Sequence, residues 1–95
     1  MTKFRLCIDN ANGKVLAENE VILRTKFNYR IDRGFKKMLE TIDLTPYSGQ
    51  SLLGQVKYLT PHNDVFFVST FKINISDDKV VSSIERIEKT NSAVL

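Results

Sequence analysis

The amino-acid sequence predicts a single small α+β domain, in which one amphipathic helix packs on one face of an antiparallel sheet. Three observations predict this fold class. Two segments near the N-terminus alternate apolar and polar residues around an Asn-Gly turn, and the next segment repeats apolar residues with the helical period. A second pair of strand-like segments follows around a polar turn. The predicted order is β-β-α-β-β-β, with residues 1–90 forming the domain and residues 91–95 a frayed tail.

The first two strands are predicted as a hairpin. Residues 3–9 alternate apolar and polar side chains, as a half-buried strand does. Asn12-Gly13 predicts a tight turn, because such turns need positive φ and both residue types tolerate it. The second strand runs from about residue 15 to residue 25, and its polar stretch at 17–20 indicates a bulge or a bend.

The amphipathic helix is predicted over residues 29–42. Its apolar side chains fall within an arc of roughly 100° when each residue advances by the helical angle. They are Ile31, Phe35, Met38, Leu39 and Ile42. Asn28 is the candidate N-cap, and Gly34 weakens the helix by about 1 kcal/mol relative to alanine. The helix is expected to end before a loop that contains Asp43, Pro46 and Gly49.

The remaining strands are predicted at residues 52–59 and 65–75, joined by the turn at 61–64. The last element is ambiguous. Residues 79–87 fit a helical apolar stripe, but they are rich in β-branched residues and follow a polar turn. The sequence favours a strand here, with a helix as the alternative.

The composition predicts an intracellular protein, with the cytoplasm as the expected location. A single cysteine, Cys7, cannot form an internal disulfide, which is typical of a reducing compartment. The N-terminal residues lack the apolar run of a signal peptide, and no apolar stretch approaches the roughly 18 residues that span a bilayer. We therefore expect no membrane partner.

The sequence predicts no catalytic site, no metal site and no cofactor. Cys7 and His62 are the only nucleophile and imidazole pair, and they fall in a strand and a distant turn. No cluster of zinc or calcium ligands has the required spacing. The four glycines are isolated, so no phosphate-binding loop is present. We therefore expect a protein that is not an enzyme.

The densest charge in the chain lies between Arg24 and Lys37, where six basic residues meet one acid, Asp32. The predicted helix would expose a basic face opposite its apolar stripe, with Tyr29 as a nearby ring for stacking. Such a surface is typical of nucleic-acid binding. The sequence favours a simply solvated helix face, since the side opposite a buried stripe must be polar and Lys and Arg are good helix formers. Nucleic-acid binding and contact with an acidic protein are the alternatives. The candidate residues are Arg24, Lys26, Tyr29, Arg30, Arg33, Lys36 and Lys37.

A second candidate surface lies on the sheet face away from the helix, where alternation places Leu16, Ile22, Phe66 and Val68. If no second layer covers them, they form an apolar patch of the kind that marks a protein interface or a homodimer seam. A C-terminal helix that covers these residues is the alternative.

These observations favour a small non-enzymatic binding module that acts by protein–protein interaction, as inhibitors and adaptors do. The alternative function is an RNA- or DNA-binding domain that uses residues 24–37, and a small enzyme whose site has no recognisable motif is the third hypothesis. Another protein is the preferred partner, nucleic acid is the second, and a homodimer stays open.

Overall fold

The chain forms a five-stranded antiparallel sheet with one α-helix. The structure, a computed structural model, describes the backbone of residues 2–24 and 30–90 and the side chains of these ranges up to Ile87. Its elements are strand β1 (Thr2–Asp9), strand β2 (Val15–Leu23), helix α1 (Ile31–Leu39), a 3₁₀ turn (Thr45–Tyr47), strand β3 (Ser51–Leu59), strand β4 (Val65–Ile75) and strand β5 (Val81–Thr90). The predicted α+β class, with a single small domain and an antiparallel sheet, is confirmed. The predicted tail, residues 91–95, lies outside the described residues.

The strands are arranged in the spatial order β2-β1-β3-β4-β5. In this order β2 and β5 form the two edges and β3 lies in the centre. All four pairings are antiparallel. Of the two alternatives for the C-terminal segment, the structure has a strand. The segment 76–80 turns the chain back between β4 and β5. Lys79 has φ 66° there, and its N–H donates to the Ser76 carbonyl at 3.0 Å.

Like the turn between β4 and β5, the other two hairpin turns each contain a residue with positive φ. Gly13 has φ 84° in the turn between β1 and β2, and Asn63 has φ 68° in the turn between β3 and β4. The Asn10 side chain accepts hydrogen bonds from the backbone N–H groups of Asn12 and Lys14, at 2.9 and 3.0 Å. These local bonds replace ladder bonds that the turn cannot make.

Helix α1 is shorter than the predicted segment 29–42. It begins at Ile31 after Arg30, whose side chain makes no capping bond, and the predicted cap Asn28 lies outside the described residues. At the other end, the N–H groups of Thr41 and Ile42 bond to carbonyls three residues earlier, at 3.0 and 3.1 Å. This tighter turn ends the helix at Leu39, although Ile42 continues the apolar stripe.

The core lies between α1 and one face of the sheet. Phe35 is 0% exposed, and its ring meets the ring of Phe71 at 5.5 Å between centroids in an edge-to-face arrangement. Gly54, on the central strand, leaves the space that this ring occupies. The other buried members of the cluster are Phe4, Leu6, Ile8, Met38, Leu39, Leu52, Val56, Ile73 and Ile75.

Candidate binding surfaces

The basic residues of the predicted patch are exposed wherever the structure describes them. Arg24 follows β2, Arg30 precedes the helix, and the remaining three lie on the helix side away from the core: Arg33, Lys36 and Lys37. Lys26 and Tyr29 lie outside the described residues. The three helix cations are therefore exposed, with Lys36 toward β5 and Lys37 toward β2.

Few acids neutralise the helix cations. Among the side chains of residues 2–24 and 30–87, the three ion pairs within 4.0 Å are Lys3–Glu20, Arg5–Glu18 and Arg30–Asp32. Arg30 and Asp32 lie 3.4 Å apart on the exposed surface. Glu40 makes no such pair with Lys36 or Lys37, although its position one turn later permits one. The helix therefore presents a net positive surface.

The predicted apolar patch is divided by the sheet. Leu16 and Ile22 lie on β2, whereas Phe66 and Val68 lie on β4, and β1 and β3 run between them. Three strand spacings separate the two pairs by roughly 14 Å. The intervening strands place charged side chains such as Arg5 and Lys57 on the face that was expected to be apolar.

Two of the four patch residues also depart from simple alternation. Leu16 lies at a register shift between β1 and β2, and it packs against the core cluster. Phe66 lies at a register shift between β3 and β4, where its ring centroid is 6.4 Å from that of Tyr58. Each shift inserts one extra residue into one strand, so the side chains on either side of it no longer alternate strictly between the two faces of the sheet. Ile22 remains exposed on the edge strand, and Val68 is half-buried opposite Lys57.

The outer face of the sheet, which is the face away from the helix, holds a cross-strand charge network. Lys3 lies 3.3 Å from Glu20, and Arg5 lies 3.6 Å from Glu18. Arg5 is also directly opposite Lys57, and like charges in that position destabilise a sheet. Glu18 offsets this repulsion through its contact with Arg5.

Cys7 lies within this network but is almost fully buried, at 1% exposure. Its Sγ donates to Glu18 Oε2 at 3.7 Å. Burial, assisted by the nearby carboxylates Glu18 and Asp9, raises the pKa of the thiol from 9.0 to about 11, although Lys57 opposes the shift. The thiolate is the nucleophilic form, so Cys7 is a structural thiol at neutral pH.

We expect the Cys7 thiol to react slowly with iodoacetamide at pH 8 in the native protein and quickly in urea. The raised pKa also predicts that stability is fully present below about pH 9 and falls as the pH rises through about 11, because the unfolded thiol loses its proton first. Mass spectrometry of timed aliquots measures the first effect, and urea titrations across this pH range measure the second. Equal alkylation rates in the native and unfolded states would contradict the burial of Cys7.

The structure keeps Cys7 and His62 apart. His62 is exposed in the turn between β3 and β4, and the neighbouring Asn63 side chain accepts a hydrogen bond from Lys3. Cys7 lies four residues beyond Lys3 on the same strand, which is roughly 13 Å at strand spacing. In the described part of the chain, no group of three or more His, Cys, Asp or Glu side chains is placed to hold a metal ion.

Two open grooves flank helix α1, and the sequence did not indicate either of them. One lies between the helix and β2, with Ala17, Asn19, Gly34, Lys37 and Met38 among its lining residues. The other lies between the helix and the start of β5, and it is lined by Asp32, Lys36 and residues 81–84. Their positions depend on which strands form the sheet edges, and that order follows from long-range pairing.

The chain matches no protein-family model, no curated protein and no solved structure. Among the described residues, no helix has both the length and the apolar character needed to cross a membrane.

Proposed function

We propose that the chain is a small non-enzymatic binding module that acts by protein–protein interaction, as an inhibitor or adaptor. One observation carries this proposal. In the described part of the chain, strongly exposed large apolar side chains concentrate at the sheet edges, with Val15 and Ile22 on β2, and Val80 and Ile87 at β5. Apolar side chains beside unpaired strand edges form a surface that a protein partner can bury.

The sheet also supports this proposal through its one-sided packing. Helix α1 contributes Phe35, Met38 and Leu39 to the core on one face, and no described element packs on the outer face. A cytoplasmic location fits the proposal, because the single cysteine is free and buried.

The experiment is capture of partners from native cells by the tagged chain, with and without nuclease, using the wild type and Ile22→Asp. Ile22 is 51% exposed on the edge strand β2, so a charge there should reduce recovery of a protein partner by about tenfold or more while the domain stays folded. His62→Asp places the same charge in the exposed turn between β3 and β4 and should leave recovery unchanged. Equal recovery by Ile22→Asp and the wild type would overturn the β2 edge as the surface that the partner buries. If no protein survives nuclease, protein binding is wrong.

The alternative function, RNA or DNA binding, is favoured by the exposed cations Arg33, Lys36 and Lys37, which form no ion pair with any side chain that the structure describes. Phosphate contacts of this kind make binding steeply salt-dependent. In the same capture experiment, nucleic acid should then be recovered by the wild type and lost by the Arg33→Glu/Lys36→Glu/Lys37→Glu variant. Equal recovery by that variant would eliminate the helix as a nucleic-acid site.

A further inference from the structure

Strand β2 presents a long, regular and open edge. It pairs with β1 on one side, and no other strand in residues 2–24 and 30–90 pairs with it. Its register with β1 runs without a shift from Ala17 opposite Ile8 to Leu23 opposite Thr2. A straight edge of this length directs unpaired N–H and C=O groups outward, which is the template that an added strand requires.

The other edge is less suitable for strand addition. The pairing of β5 with β4 is interrupted at Thr70/Phe71 and again at Asn74/Ile75. Each interruption bends and twists the strand locally, and natural sheets use such bulges to prevent pairing at an edge. Strand addition is therefore expected at β2 rather than at β5.

The groove beside β2 gives an added strand a second contact surface. It runs between β2 and helix α1, and Ala17, Glu18 and Asn19 line its strand side. Gly34, Lys37, Met38 and Thr41 line its helix side, so an added strand would meet a small residue at Gly34 and a cation at Lys37. A strand beside β2 would direct alternate side chains into this groove and toward the outer face.

The outer face of β2 is acidic. The strand carries Glu18 and Glu20 and no basic residue, and their side chains are 51% and 45% exposed. Lys3 and Arg5 contact these carboxylates from β1, on the side of β2 that faces the sheet centre. The exposed part of each glutamate is therefore accessible from the open edge. Ile22, which is 51% exposed, continues the same row.

We propose that β2 is a strand-addition site for an extended segment of a partner protein that carries alternating basic residues. Its Lys or Arg side chains lie opposite Glu18 and Glu20, and its intervening small apolar side chains enter the groove at Gly34. This inference rests on the proposed function and specifies the partner. A second copy of the chain fits poorly, because antiparallel pairing of two β2 strands about Asn19 sets Glu18 opposite Glu20.

The test uses a fluorescein-labelled nine-residue peptide of alternating lysine and valine, with binding followed by fluorescence anisotropy. We expect saturable binding, and a peptide of alternating glutamate and valine should not bind. Two further peptides carry N-methyl groups on the lysine or on the valine nitrogens. Each loses the N–H groups along one edge, so one isomer should bind and the other should not. Equal affinity of the two isomers would overturn strand addition.

Protein variants test the position of the site. Glu18→Gln/Glu20→Gln should weaken binding of the lysine–valine peptide by about fivefold, since each cross-strand charge pair contributes a fraction of a kcal/mol. Glu85→Gln makes the same change on the opposite edge and should leave the affinity unaltered, and circular dichroism confirms the fold of each variant. Equal affinities for the double variant and the Glu85→Gln control would place the site elsewhere and overturn the proposal.

The capture experiment separates this inference from the proposed function. A nuclease-resistant protein partner that the double Gln variant captures as well as the wild type leaves protein binding intact and overturns the β2 site. Peptide binding at β2 by a chain that captures no protein counts against the proposed function alone.

Discussion

Replacing Phe35 with alanine should lower the free energy of unfolding by about 3–5 kcal/mol, the usual cost of removing a buried phenylalanine. Phe35 is fully buried, and its ring lies against Phe71 and over Gly54. The substitution would remove the largest side chain that α1 inserts into the sheet and would leave a cavity there. A domain of this size has about 5–10 kcal/mol in total, so the loss is a large share of its stability.

Urea titration measures this effect, with the midpoint shifting and the slope unchanged. Lys36→Ala is the matched control, because Lys36 is the next residue on the same helix, is exposed, and is replaced by the best helix former. Its stability should stay within about 0.5 kcal/mol of the wild type. A loss below about 1 kcal/mol for Phe35→Ala would mean that the helix is not seated on the sheet as described.

Local patterns in the sequence predicted the fold class because both hairpins and the helix depend on neighbouring residues. Asn12-Gly13 supports a turn with positive φ, and the spacing of Phe35, Met38 and Leu39 defines one buried helix face. The helix ends were less accurate. Ile42 fits the apolar period, but the backbone tightens after Leu39, and periodicity contains no information on that change.

The candidate surfaces were harder to predict, because they depend on strand order and register. Leu16 and Phe66 were assigned faces by alternation, and each lies at a register shift that interrupts it. Ile22 and Val68 were expected on one patch, but two strands separate them. By contrast, the exposure of Arg33, Lys36 and Lys37 follows from local periodicity, although Lys36 lies toward β5 and Lys37 toward β2.

The open edge of β2 also depends on strand order and therefore could not be predicted from local patterns in the sequence. Its residues alternate in the sequence like those of any half-buried strand, and only the strand order shows that β1 is the one described strand that pairs with β2. The acidic row of Glu18 and Glu20 has a structural role as well, because it offsets Arg5 and Lys3 on the adjacent strand. An edge that balances internal charge and remains exposed can serve both stability and recognition.

Replacing Gly54 with valine should be the second most damaging change, at about 2–3 kcal/mol, because the core is overpacked at this point. A Cβ at Gly54 would lie 3.0 Å from Phe35 Cζ and 3.1 Å from Ile73 Cδ1, and valine adds two methyl groups beyond it. The strand preference of valine stabilises the variant, but by less free energy than the steric overlap costs. Gln55→Val is the matched control, since the next residue points to the outer face and should change stability by about 0.5 kcal/mol or less.

A double-mutant cycle with Phe35→Leu tests whether the ring is the cause. Phe35→Leu removes ring atoms that meet the new Cβ, so the double variant Phe35→Leu/Gly54→Val should be more stable than the sum of the single effects predicts, by about 1 kcal/mol or more. Urea titration of the four proteins gives this coupling energy. Strict additivity would show that Phe35 and Gly54 are not in contact, and a stable Gly54→Val variant would show that the helix lies further from β3 than the structure places it. Because the helix carries the basic surface and one wall of the β2 groove, its seating on Gly54 fixes the position of both candidate sites.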